Sequence, residues 1–99
     1  MRHEVVVEKK REEEFEVTVR EGSSATTHRV NLRVADWQRL CDGRVIPEEL
    51  VRRSFEFLLE REPKEAILRQ FDLSLIAKYF PEYPREIRVR LGGSEQQSH

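Results

Sequence analysis

The sequence predicts a single α+β domain, in which a small, mainly antiparallel sheet carries three or four helices on one face. Two observations lead to this fold class. Apolar residues alternate with polar ones in two runs around a Gly-Ser turn, and later stretches repeat their apolar residues at helical spacing. With 99 residues, 37% of them apolar and 37% charged, the chain is long enough to bury one modest core.

A β-hairpin is predicted over residues 14–34, because apolar residues alternate with polar ones on both sides of "EGSSAT". A loop of four residues would place Phe15 opposite Leu32 and Val17 opposite Val30. All the apolar residues of the hairpin then lie on one face, and carboxylates lie near arginines on the other.

The main helix is predicted from Pro47 to a point before Pro63, because proline favours the first helical position and ends a helix that precedes it. Its apolar side chains cover an arc of roughly 200°, which is wider than one sheet needs to cover. Phe55 and Leu58 are expected among the most buried residues. The opposite stripe should face solvent, with Glu and Arg paired at i,i+4 spacing. It consists of Glu49, Arg52, Arg53, Glu56 and Glu60.

Shorter elements are predicted on both sides of the main helix. Asp36 and Gly43 would begin and end one or two helical turns. "PKEAILRQF" and "DLSLIAKYF" each predict a short helix, and the second should end at Pro81. Residues 86–91 alternate apolar residues with arginines and predict a C-terminal strand beside the hairpin.

The two ends of the chain are less clearly patterned. Residues 1–92 are expected to form the domain, and the polar tail 93–99 to be disordered. Val5 and Val7 suggest an extra strand, but the charged run after them lacks turn residues. Whether residues 1–13 form a strand, a loop or an arm stays open at this point.

Composition excludes several classes of function. Eighteen basic and 19 acidic residues give a formal net charge of -1, so no overall field attracts nucleic acid or an anionic membrane. One cysteine cannot form a disulfide framework, and three scattered histidines predict no metal site. No apolar run approaches a signal peptide or a membrane span. We therefore expect a cytoplasmic protein without a cofactor.

No catalytic residues are predicted. Cys41 and His28 are the only conventional nucleophile and base, but helical spacing turns Cys41 inward with Leu40, where a thiol is inert. His28 should lie beside Val19 at the edge of the sheet and form local hydrogen bonds. The sequence also lacks a Gly-rich phosphate loop in the predicted domain.

"DLSLIAKYFPEYP", at residues 72–84, raises the question of a DNA-reading helix-turn-helix. A recognition helix presents several polar or basic side chains to base edges. Between Leu73 and Phe80 only Ser74 and Lys78 are polar in this way, so packing on the core is the better interpretation.

An arginine-rich face of the sheet is the candidate surface for nucleic acid. If the C-terminal strand joins the hairpin, five arginines share this face with three glutamates, but the face offers no aromatic side chain for stacking bases. The arginines are Arg20, Arg29, Arg33, Arg88 and Arg90.

Self-association is predicted from the broad apolar arc of the main helix. A two-fold dimer would cover it, and dimers are the commonest soluble oligomers. The interface would use Phe57 and Leu59 of the helix, or the strand that contains Val5 and Val7.

Residues 54–83, "SFEFLLEREPKEAILRQFDLSLIAKYFPEY", resemble a group of short prokaryotic proteins without an assigned function. The resemblance implies a compact domain of prokaryotic origin and no mechanism. Taken together, these features favour a non-catalytic binding or regulatory module whose partner is a protein or a second copy. The alternative is a nucleic-acid-binding protein that uses the arginine face.

Overall fold

The structure of the chain is a computed structural model and describes residues 3–92. It confirms a small α+β fold: within this range a four-stranded, mostly antiparallel sheet packs with four α-helices. In chain order the elements are β1 (Glu4–Arg11), β2 (Glu14–Glu21), β3 (Ser24–Asn31), α1 (Val34–Cys41), α2 (Pro47–Leu59), a 3₁₀ helix (Lys64–Ala66), β4 (Gln70–Asp72), α3 (Leu75–Tyr79) and α4 (Tyr83–Arg90). The predicted tail, residues 93–99, lies outside the described residues.

The sheet has the order β1-β2-β3-β4, with antiparallel pairing from β1 to β3 and a parallel β4. The region that the sequence left open is therefore a strand. Its turn into β2 at Glu12 and Glu13 uses no residue with positive φ, which is why the usual glycine or asparagine signal is missing. The pairing shifts between Lys9 and Arg11, and such a bulge supplies local twist.

The hairpin of β2 and β3 closes with a two-residue turn at Gly22 and Ser23, so the predicted four-residue loop is wrong. Gly22 has a φ of 64°, which suits the first central position of a type II′ turn. Phe15 consequently lies opposite Val30 and not opposite Leu32. The error amounts to two residues, and because strands have a period of two the predicted core face is still correct.

The predicted C-terminal strand over residues 86–91 is wrong, because this segment belongs to helix α4. Tyr83 and Ile87 are buried, whereas Val89 is 50% exposed. The buried residues of α4 are thus spaced four apart, from Tyr83 to Ile87, as on one face of a helix. This spacing begins at Tyr83, before the alternating segment 86–91 that suggested a strand. Pro84 in the first turn is compatible with a helix start.

"PKEAILRQF" forms a 3₁₀ turn followed by strand β4, so the predicted helix there is wrong. The Arg29 amide donates to the carbonyl of Arg69 over 2.7 Å, and Phe71 pairs with Val30. Long-range pairing to β3 therefore overrides the local helical preference of this stretch.

Helix α1 begins at Val34, two residues before the predicted cap at Asp36. The carboxylate of Glu13 accepts a hydrogen bond from the Val34 amide over 2.9 Å and satisfies one of the free amides at the helix start. Leu40 and Cys41 are buried as predicted.

The main helix α2 has the predicted start and orientation. Pro47 occupies its first turn, and Phe55 and Leu58 are buried. On the solvent side the predicted i,i+4 pairs form, with Glu49 to Arg53 at 2.8 Å and Arg52 to Glu56 at 2.9 Å. The chain covers most of the apolar arc itself, since Leu50, Val51, Ser54, Phe55, Phe57 and Leu58 are all buried.

Candidate functional site

One side of α2 is closed over Phe57. The Phe57 ring packs edge-on against two other aromatic rings. The ring centroids are 5.3 Å apart for Tyr83 and 5.9 Å apart for Phe80. The guanidinium of Arg61 lies 3.7 Å from the Phe57 centroid and also pairs with Glu82 at 3.3 Å. Phe57 has no exposed surface, so it offers nothing for a second copy to contact.

A buried hydroxyl pair ties α4 to this closed side. Ser54 donates to the carbonyl of Leu50 over 2.7 Å, so Tyr83 must donate to the Ser54 hydroxyl, 2.6 Å away. Burial raises the pKa of Tyr83 well above its ordinary value. At neutral pH the tyrosine is therefore a neutral donor that fixes the position of α4.

The other side of α2 opens into an apolar groove of about 260 Å³. The end of α2, the 3₁₀ segment, β4 and α3 form its walls. Its lining consists of Leu58, Glu62, Ala66, Ile67, Leu68, Phe71, Leu75, Ile76, Tyr79 and Phe80. We call this feature the α3 groove.

The α3 groove is where the described chain leaves its aromatic residues least covered. Tyr79 is 66% exposed and Leu68 is 50% exposed, while Phe71 and Phe80 are half-buried. Phe15, Phe55, Phe57 and Tyr83 are fully buried elsewhere. The sequence contains one signal for this surface, because α3 is apolar on nearly every side. A helix of only five residues cannot bury all of these apolar side chains.

The charges beside the groove are unevenly paired. Glu62 lines the groove, and Lys64 is held by Glu65 at 2.7 Å. Arg69 and Lys78 each adjoin a lining residue in the chain. Among residues 3–92 neither of these two cations forms a salt bridge, although Glu65 attracts Arg69 over a longer distance. The local balance of charges that lack an ion pair is thus positive.

His28 anchors one wall of the groove from within the core. Its Nδ1 lies 2.8 Å from the carbonyl of Leu68, and because a carbonyl only accepts, Nδ1 carries the proton. The Thr26 hydroxyl, 2.8 Å from Nε2, then donates to the other nitrogen. Burial lowers the pKa of His28, the hydrogen bond to Leu68 opposes this, and Arg69 lowers it further.

His28 therefore lies in the interior, opposite Val17, and not at the sheet edge beside Val19 as the predicted register required. Its hydrogen bond with Thr26 is local, as predicted, whereas its bond to the carbonyl of Leu68 joins residues distant in the chain. The Cys41 thiol is also buried and donates to the carbonyl of Trp37 over 3.3 Å.

The five predicted arginines do not share one surface. Arg20 and Arg29 lie on the outer face of the sheet, and Arg33 follows β3 and lies 3.8 Å from Asp72. The other two belong to α4: Arg88 donates to a backbone carbonyl of α1 and Arg90 to the carboxylate of Glu60. The predicted arginine-rich face does not form, because it required a C-terminal strand beside the hairpin. In the structure this segment is helix α4.

The second predicted dimer element, Val5 and Val7, lies on β1 at one edge of the sheet, and both residues are half-buried. Leu59 of α2 is half-buried as well.

Within residues 3–92, no three side chains among His, Cys, Asp and Glu come together as a metal site, and no helix there is long and apolar enough to cross a membrane. No protein-family model, curated protein or solved structure matches the chain.

Proposed function

We propose that the chain is a non-catalytic protein-binding module whose α3 groove holds an apolar side chain from an acidic segment of a partner protein. The observation that carries this proposal is the exposure of Tyr79 above a groove whose other aromatic side chains, Phe71 and Phe80, are only half-buried. Exposed aromatic anchors beside an apolar pocket are typical of the energetic centres of protein interfaces.

The chemistry of the partner follows from the lining and its surroundings. An apolar side chain would displace water from the walls formed by Leu58, Ile67 and Ile76. Carboxylates on either side of that side chain would be attracted by Arg69 and Lys78. Neither forms a salt bridge among the described residues, and Glu65 attracts Arg69 only over a longer distance. Glu62 is the one carboxylate of the lining, and it disfavours a second acidic group deep inside the groove.

Nucleic acid is the competing class of partner. A groove for single strands combines a continuous basic track with aromatic platforms. Here Arg88 and Arg90 lie on α4, away from Arg20 and Arg29 on the sheet. This separation favours a protein partner, and an oligonucleotide therefore serves as an arm of the test.

The test is a fluorescence titration of the chain with a short blocked peptide in which leucine alternates with glutamate. We expect saturable binding that weakens about tenfold in Tyr79→Ser, since truncating an exposed aromatic anchor removes its contact area. Ile46→Ser is the matched control, because Ile46 is 63% exposed and Tyr79 is 66% exposed, but Ile46 does not line the groove. The control should bind as the wild type does.

Three outcomes would overturn the proposal. The peptide could fail to bind, or Ile46→Ser could weaken binding as much as Tyr79→Ser does. A version of the peptide with serine in place of leucine could also bind equally well. Binding of a mixed single-stranded oligonucleotide, with an affinity that falls steeply with salt, would assign the chain to the competing class.

A further inference from the structure

Strand β1 leaves a complete row of backbone groups at one edge of the sheet. The Leu32 amide donates to the carbonyl of Glu13 over 2.8 Å, which shows that the odd-numbered residues of β2 bond to β3. The even-numbered residues of β2 therefore bond to β1, through its Glu4, Val6 and Glu8. Val5 and Val7 direct their amides and carbonyls away from β2, where the described sheet has no further strand.

The exposed edge of β1 is apolar at its centre. Val6 is 45% exposed on the outer face, and Val5 and Val7 are only half-buried on the face under α2. Proteins protect edge strands with charges, prolines or bulges. In β1 the charges lie at the two ends, at Glu4 and from Glu8 to Arg11, where the bulge also lies, and they leave the three central valines unprotected.

We propose that β1 pairs antiparallel with β1 of a second copy, in a two-fold register centred on Val7. The two sheets then form one continuous sheet, with the helices of both copies on the same side. A two-fold axis perpendicular to the sheet places the helix-bearing faces of the two copies on the same side. Side chains that lie opposite each other must then point to the same face, so the two paired positions are both odd-numbered or both even-numbered. The outward-facing amides of Val5 and Val7 supply the hydrogen bonds.

Charge complementarity favours this register over one centred on Val6. Centring on Val7 pairs Val5 with Lys9 of the partner subunit and so brings Glu4 beside Lys10 of the partner subunit, which lies at the bulge. The same pair recurs through the symmetry. Lys10 lies on the same outer face, since its ammonium is 3.5 Å from Glu16 and 3.4 Å from Glu8. Centring on Val6 would place Glu4 opposite Glu8 of the partner subunit, twice, and like charges directly opposite each other destabilise a sheet.

The test is light scattering and sedimentation of the full chain across a range of concentrations. We expect a mass of twice 11.8 kDa. Glu4→Lys and Lys10→Glu should each weaken the dimer about tenfold, because each replaces two attractive pairs by two repulsive ones. The double variant exchanges the charges and should restore the dimer. Because loss of a dimer lowers the melting temperature by itself, a wild-type circular dichroism spectrum of Glu4→Lys below its unfolding transition separates this effect from unfolding.

A cysteine pair tests the register independently. In the proposed dimer the two Val7→Cys side chains lie directly opposite each other, within the Cα separation of a disulfide, and should crosslink under mild oxidation. Val6→Cys is the matched control and should stay uncrosslinked. A monomer at all concentrations, a dimer insensitive to the charge variants, a dimer strengthened by Glu4→Lys, or crosslinking of Val6→Cys alone would each overturn the proposal.

Discussion

The two sides of α2 carry similar apolar side chains but are closed to different degrees. On the side of Phe57, α4 contributes Tyr83, and the arginines at positions 61 and 90 cover what remains of the ring. On the side of Leu58, the five-residue helix α3 leaves a groove with Tyr79 exposed. One part of the broad apolar arc of α2 is thus buried by the rest of the chain, and the other part borders an open groove.

This difference indicates that burial of the apolar side chains of α2 depends on the polar groups that pack over them as well as on apolar area. Where a guanidinium stacks on a ring and a hydroxyl pair is satisfied, the side chain beneath is fully buried. Where the covering helix is short and brings no such groups, the surface stays open. The following predictions test this contrast in order of decreasing expected effect.

The largest effect is expected for Phe57→Ala on the closed side. It should lower the free energy of unfolding by about 3–5 kcal/mol, because a fully buried ring is removed from tight packing. Tyr79→Ala on the open side should change it by no more than about 0.5 kcal/mol. Urea unfolding followed by circular dichroism measures both. Equal costs for the two variants would mean that the two sides of α2 are not different.

A smaller effect is expected when the hydroxyl pair is broken from the Ser54 side. Ser54→Ala leaves the buried Tyr83 hydroxyl without its acceptor and should cost about 1–3 kcal/mol. Tyr83→Phe should cost less, since Ser54 still donates to the Leu50 carbonyl. The double variant should recover part of the loss. If Ser54→Ala costs no more than Tyr83→Phe, the pair does not fix α4.

The core of the fold could be predicted from the sequence, whereas β4 and α4 could not, and for the α3 groove the apolar circumference of α3 was the one signal. The alternation of apolar residues from Phe15 predicts which side of the hairpin is buried, and the helical spacing around Phe55 predicts which side of α2 is buried. By contrast, residues 70–72 become a strand only because β3 offers an edge, and α4 depends on Tyr83, whose hydroxyl needs Ser54 on another helix. These elements are stabilised by partners distant in the chain, which local periodicity does not report.

The pH dependence of stability should show the effect of His28, which holds the groove wall at Leu68. The folded pKa lies below the ordinary 6.5, so the unfolded chain binds the proton more readily. Stability is therefore full above pH 6.5 and falls as the pH drops below it, by at most about 1.4 kcal/mol per pH unit. His28→Gln should abolish this slope, and His3→Gln should retain it. Thermal unfolding between pH 7 and pH 5 measures the slope, which a flat wild-type profile would contradict.

A smaller effect than that of Ser54→Ala is expected at the solvent rim of the closed side, where Arg90 lies within 2.8 Å of Glu60. The hydrogen bond from Arg90 lowers the pKa of Glu60 below its ordinary 4.5, so the stabilisation is present above pH 4.5 and is lost as the pH falls through the folded value. Because Glu60 is more than half exposed, Glu60→Gln should cost at most about 1 kcal/mol at pH 7. The two unfolding curves should converge in acid. A difference that persists there would assign the effect to packing.

The most direct test of the open side maps the binding of the alternating leucine and glutamate peptide onto the backbone by two-dimensional NMR of labelled protein. We predict that the amides that shift lie in residues 66–71 and in α3, while those of α4 and of the outer face of the sheet do not. Shifts confined to α4 or to the sheet, with those around Tyr79 unchanged, would contradict the assignment of the α3 groove as the binding surface.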